Sequence, residues 1–147
     1  MKNYFLLLLL MMFTTIFSQV SEKECGWYLV KAIDTTSKYL DIADEYSIEN
    51  NLITIKYVES IQLIASQTRP FKQIQLNFSE EGKQIWEKQT DKFSREKVCF
   101  IFENQVVAIV TVTVKISSGS VSFSSENAKI NTEELYNKLK PIVENQK

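Results

Sequence analysis

The chain has 147 residues, with 17 Lys and Arg against 18 Asp and Glu, a net charge of −1 and no His. That length holds one core. The near-neutral balance, without a Lys/Arg cluster, argues against nucleic acid and anionic lipid surfaces as partners, and the missing imidazole removes the commonest general base, the usual catalytic triad and most zinc sites.

Residues 1–18 read as a signal peptide. Lys2 supplies the positive start, Tyr4 to Phe17 is an apolar run, and Ser18 is a small residue suited to cleavage. The run of about 14 residues falls short of the ~20 that span a bilayer, which favours a cleaved leader over a retained anchor. Ile16 is bulky for its place three before the cut, so the cut can shift by a residue or two. Cys25 follows Ser21-Glu22-Lys23-Glu24, which is not a lipidation signal. The expected product is an exported protein of the periplasm, cell envelope or extracellular space, with no stable membrane insertion. With Lys2 removed, 17 basic residues become 16, against 18 acidic.

Two cysteines remain, Cys25 and Cys99. In an oxidising compartment an even pair reads as a disulfide, here closing a loop of roughly 75 residues and worth about 2–4 kcal/mol. The alternative is two free thiols, one of them a small buried hydrophobe.

Residues 19–37 form an N-terminal segment with a first strand, Trp27 to Ile33, closed by the polar run Asp34 to Ser37. Residues 38–147 form the main domain. Tyr39 to Ile42 is a second short strand, and Asp44 to Asn51 reads as an acidic loop or helical turn. Ile53 to Val58 fits strand or helix, Ile61 to Ser66 fits a strand, and Arg69-Pro70 punctuates the chain. Phe71 to Phe78 alternates, with Ile74, Leu76 and Phe78 on one face. Ser79 then caps a helix of about 15 residues, with Glu80 and Glu81 in its first turn and Gly82, Trp86, Thr90 and Phe93 as its buried stripe.

Val98 to Phe102 is apolar on both faces and reads as a central strand. Glu103-Asn104 makes a hairpin turn into Val106 to Val114, with Val106, Ala108, Val110, Val112 and Val114 on one face. Ser117-Ser118-Gly119 turns the chain again, and Val121 to Phe123 is the next strand. Asn131, with Glu134 three residues on, starts a terminal helix whose apolar side is Leu135, Leu139, Ile142 and Val143. Pro141 bends or ends it. The expected fold is α+β: a single compact domain whose mixed, mostly antiparallel sheet is packed by about two helices.

Phe78-Ser79-Glu80-Glu81-Gly82, with Trp86 and Thr90 at their spacing, is followed by Val98 to Phe102, the Glu103-Asn104 turn, and Ile116 to Gly119 leading into Val121-Ser122-Phe123-Ser124. Upstream stand Lys38-Tyr39-Leu40 and Asn51 to Ser60. In order and spacing this resembles the head subdomain of the large periplasmic domain of SecD and SecDF, subunits of bacterial protein export, over roughly residues 38–140. The resemblance implies a ferredoxin-like, SecD-head-like fold and contact with translocated or unfolded polypeptide. It departs from the family at Glu103-Asn104, where the family has Asp-Gly, and at Ala108-Ile109-Val110, where Ser-Ala-Pro is frequent. Cys99 stands at a usually small position, which implies a tight helix–sheet contact. The family's transmembrane helices and base subdomain have no counterpart here, so coupling to a proton gradient is not carried over.

No nucleophile elbow, P-loop or dinucleotide fingerprint appears. Glu80/Glu81 and Glu133/Glu134 read as helix N-terminal charges. Asp41, Asp44 and Glu45 could gather around calcium but lack the spacing of a calcium loop. No catalytic, metal or cofactor residue is assigned, and the chain reads as a non-enzyme. A binding module is expected, contacting extended polypeptide or an envelope partner by strand addition near Ser117 to Phe123. The alternative is a dedicated accessory, inhibitor or immunity-type protein using the fold as a scaffold. A small-ligand carrier needs a cavity this length can hardly spare.

Overall fold

The computed structural model describes residues 23–32, 46–65 and 70–147. Strands β1 (Gly26–Ala32), β2 (Tyr46–Thr54), β5 (Lys97–Phe102) and β6 (Gln105–Thr111) form one sheet, ordered β2-β1-β5-β6. Strands β3 (Val58–Ala65), β4 (Lys72–Phe78) and β7 (Ser120–Phe123) form a second, ordered β3-β4-β7. Every pairing is antiparallel. Helix α1 (Glu80–Lys92) follows β4, and helix α2 (Thr132–Glu144) closes the chain. The α+β class stands, but the expected single sheet is two.

The core lies between the sheets and under the helices. Trp27 of β1 is 5.8 Å from Trp86 of α1, and 5.2 Å from both Phe100 of β5 and Phe123 of β7. Phe78 lies 5.5 Å from Trp86, and Phe100 lies 4.8 Å from Phe123. One aromatic cluster therefore joins both sheets to α1, each pair adding about 0.5–1.5 kcal/mol beyond the area it buries. Leu135, Leu139 and Val143 bring α2 into the same core. On the far face of the four-stranded sheet, Tyr28, Val30, Cys99, Ile101 and Val106 make a smaller apolar cluster. Strand β5 is buried at every position from Val98 to Phe102, as its continuous apolar run requires.

Local chemistry explains both helix starts. The Ser79 hydroxyl accepts from the Gly82 N–H at 3.2 Å, and Asn131 Oδ1 accepts from the Glu134 N–H at 2.9 Å. A Cβ on Gly82 would sit 2.8 Å from the Tyr57 carbonyl oxygen, so only glycine lets α1 approach that turn. Pro141 lies inside α2 without ending it, while Ile142 is 37% exposed instead of joining the apolar side.

Several sequence expectations are corrected. Asp44 to Asn51 is not a loop from Tyr46 onward, because those residues enter β2. As an edge strand that, among the described residues, pairs only with β1, β2 keeps polar residues, and register shifts break its alternation. The ambiguous Ile53 to Val58 resolves into the end of β2, a 3-10 turn at Ile55–Tyr57 and the start of β3. That turn carries the chain from one sheet to the other, held by the Ile55 N–H on the Cys25 carbonyl and the Ser79 N–H on the Tyr57 carbonyl, both 2.9 Å. Strand β6 stops at Thr111, and a register shift opposite Phe100/Ile101 puts Val106 in the far-face cluster while Ala108 enters the main core. Strand β1, from the N-terminal segment, sits between β2 and β5.

Candidate functional site

Cys25 and Cys99 are the chain's two thiols. The pairs Tyr28↔Cys99 and Gly26↔Ile101 put Cys25 three positions along the ladder from the partner of Cys99. That is about 10 Å of strand rise, beyond the roughly 7 Å between Cα atoms that a disulfide spans. They also differ in surroundings: Cys25 packs against the main core and Cys99 lies in the far-face cluster. The expected bridge is not made, and both are free thiols. Nor does Cys99 mark a helix–sheet contact, for its neighbours are strand residues. Burial pushes both thiols up to about 12, leaving them protonated and unreactive at neutral pH. Tyr28, which burial also pushes up, donates its hydroxyl to the Glu24 carbonyl at 2.8 Å.

The carboxylates are dispersed. Glu80, Glu81, Glu133 and Glu134 occupy the first turns of the helices, and Glu133 pairs with Lys72 at 2.7 Å. Among the described residues, no three or more His, Cys, Asp or Glu side chains gather as a metal site. The leader at 1–18, the strand at Tyr39 to Ile42 and the acidic trio Asp41, Asp44 and Glu45 lie outside the described residues.

What the fold does present is sheet margin. In the three-stranded sheet, Leu63, Ile74 and Phe123 are aligned, as are Ile61, Leu76 and Val121, so these side chains share the core face. The other face is polar apart from Ile64. Gln75 Nε2 donates to Asn77 Oδ1 at 2.9 Å, and Asn77 Nδ2 donates to the Ser60 hydroxyl at 3.0 Å. Strand β7 contributes Ser120 and Ser122 to this face, as its Ser-rich sequence foretells, but it has only four residues. Its Ser120 N–H already donates to the Ser118 hydroxyl at 3.4 Å. The outer side of β6 is also engaged, since its Val107 carbonyl accepts from the Glu126 N–H at 2.7 Å and its Val106 carbonyl from Asn127 Nδ2 at 2.9 Å. Strand β2 has register shifts and packs against α1. Strand β3 is eight residues long and, among the described residues, pairs with β4 alone. The strand itself is legible from Ile61 onward, but its place at the sheet edge is not, because strand order is not written in the alternation of a single strand.

Two solved structures share the fold. One is described as a membrane component SecDF that enhances protein export: 16% of positions are identical, the TM-score is 0.56, and the match covers 65% of this chain and 41% of that one. The other is SecDF in a super-membrane-facing form, at 14% identity and TM-score 0.59, covering 78% of this chain and 18% of that one. This chain thus spans less than half the length of each. No protein-family model and no curated protein matches it. At these identities the likeness is one of fold, and the SecD-head-like fold expected from the Phe78-to-Gly82 motif is the fold observed.

Proposed function

We propose that this chain is a non-catalytic, exported binding module that contacts extended or newly exported polypeptide. The observation that carries the reading is the shared fold with a membrane component that enhances protein export. Two features of the chain support it. Among the described residues, the thiols are buried or half-buried, no acidic cluster gathers, and an eight-residue sheet edge pairs with one neighbour only. Export rests on the leader at residues 1–18, and no helix among the described residues is long and apolar enough to cross a membrane.

The reading as a dedicated inhibitor or immunity-type accessory is less well supported. Among the described residues, the exposed large hydrophobics Phe71, Val114 and Ile142 lie on three different elements, just before β4, in the loop after β6 and near the end of α2. A dedicated interface is expected to gather such residues into one patch.

The test is capture by a tagged chain beginning at Gln19, offered labelled carboxymethylated, permanently unfolded protein beside the same protein in its native form. Retention of the unfolded form alone supports the module. Indifference to both, together with one stoichiometric partner from an envelope extract, transfers the assignment to the dedicated accessory. N-terminal sequencing of the exported product checks the leader separately, and it is expected to start within a residue or two of Gln19.

A further inference from the structure

The backbone of the three-stranded sheet fixes which groups of β3 face outward. The Phe78 N–H donates to the Gly119 carbonyl at 2.9 Å, on the β7 side of β4, while the Ser79 N–H donates to the Tyr57 carbonyl, on the β3 side. In an antiparallel ladder the N–H and C=O of one residue point the same way and alternate from residue to residue. Ile74, Leu76 and Phe78 therefore point towards β7, and Gln73, Gln75 and Asn77 towards β3. Their partners Ile64, Gln62 and Ser60 point inward to β4. Ile61, Leu63 and Ala65 are left with amides and carbonyls directed at an edge that no other strand among the described residues pairs with.

The side chains along that edge have a definite pattern. Ile61 and Leu63 are half-buried on the core face, while Ser60, Gln62 and, at the far end, Ile64 lie on the opposite face, where Ser60 accepts from Asn77. Helix α2 runs over the core face close to β3. Its Glu133 pairs with Lys72, the residue opposite Ala65, whereas Lys138 pairs with Glu103 of the β5–β6 turn at 3.8 Å. The flank of α2 carrying Glu133, Tyr136 and Lys140, spaced i, i+3 and i+7, is thus the flank on the β3–β4 side. Tyr136 is half-buried there, with the Lys140 ammonium 6.0 Å above its ring.

We propose that β3 is a docking edge that takes an extended segment of another polypeptide as an added strand. This rests on the polypeptide-binding reading and names where and how the chain is held. The occupant is specified by what it meets. Its backbone completes the hydrogen bonds of Ile61, Leu63 and Ala65. Every second side chain is apolar, aligned with Ile61 and Leu63 and beside Tyr136. The side chains between are hydroxyl- or amide-bearing and continue the Ser60, Gln62, Gln75 and Asn77 face. Main-chain bonds supply affinity and the alternation supplies preference. The expected edge near Ser117 to Phe123 is too short to do this.

The test uses an eight-residue, fluorescein-labelled peptide in which Val alternates with Thr, followed by Lys for solubility, read by anisotropy against the tagged chain beginning at Gln19. In the docked register the Val amides face β3 and the Thr amides face solvent. N-methylation of the Val amides is expected to weaken binding at least about tenfold, and N-methylation of the Thr amides to leave it within about twofold. Leu63→Pro removes one outward N–H at a position where an edge strand tolerates proline, and is expected to weaken binding about tenfold with an unchanged far-ultraviolet spectrum. The two methylated peptides keep the test decisive if that variant does not fold. Equal loss or equal retention for the two peptides overturns strand addition, while the unfolded-protein capture above still stands or falls separately. Peptide selectivity that survives in folded Leu63→Pro moves the site off β3 and overturns the assignment. Concentration-dependent dimerisation abolished by Leu63→Pro makes a second copy the occupant, and also overturns it. Absence of binding to the unmodified peptide overturns it outright.

Discussion

Arg95 holds a left-handed backbone, φ 74°, in the short link between α1 and β5, where its N–H donates to the Val112 carbonyl at 2.6 Å. An exposed residue with a Cβ gains nothing there to offset the strain. Arg95→Gly is expected to raise stability by about 0.5–1 kcal/mol in urea denaturation. Gly82 is the opposite case, because its missing side chain is what admits the Tyr57 backbone. Gly82→Ala is expected to lower stability by about 1–3 kcal/mol, read in the same titration. The cysteines add a pH signature. Folding raises each thiol from an ordinary 9.0 to about 12, so the folded state keeps protons that the unfolded chain releases. Stability is therefore fully present below pH 9 and falls between 9 and about 12, by at most about 1.4 kcal/mol per pH unit for each thiol. Denaturation across that window should show the slope, and Cys99→Ala should reduce it.

At the scale of elements, Thr90 shows how a helix holds a loop. Its hydroxyl donates to the Trp86 carbonyl and accepts from the Ile116 N–H, both at 2.9 Å. Thr90→Val keeps the shape and leaves the Ile116 amide unpaired, at a cost of about 1–3 kcal/mol. Faster hydrogen exchange at Ile116 than across β5 is the expected readout. The Trp86 and Thr90 spacing was legible as a helix stripe, but its service to a loop 26 residues on was not. Elements written in local chemistry were readable: the Ser79 and Asn131 caps, and the Glu103-Asn104 turn with φ 48° and 60°. Strand β2 was not, because an edge strand keeps polar residues and its conformation is imposed by pairing with β1. The β3 edge stayed hidden for a related reason, since its outward groups are defined only once β4 and β7 are in register.

At the scale of the molecule, the division into two sheets could not be read from strand patterns that suit either arrangement equally. The cysteine pair failed at the same level. Both residues lie on β1 and β5 or just beside them, and only the register separates them along the ladder. The aromatic cluster shared by both sheets and α1 predicts that these parts unfold together. Tryptophan fluorescence and far-ultraviolet dichroism should give coincident thermal transitions, whereas two separated midpoints would show the sheets to be independent units. Phe123→Ala, which removes the β7 contact to Trp27 and Phe100, is expected to lower stability by about 3–5 kcal/mol.

That cluster also gives the molecule an optical property. Trp27 and Trp86 are the chain's two tryptophans, 5.8 Å apart with ring planes inclined by 43°. Chromophores so close and so oblique share their excitation, and the coupled pair absorbs left- and right-circularly polarised light unequally, as neither indole does to that degree by itself. Because one ring rides on a strand and the other on a helix, the resulting couplet disappears when α1 lifts from the sheet, even if every strand and helix stays intact. The protein thus carries its own spectroscopic ruler for helix docking, with no label attached.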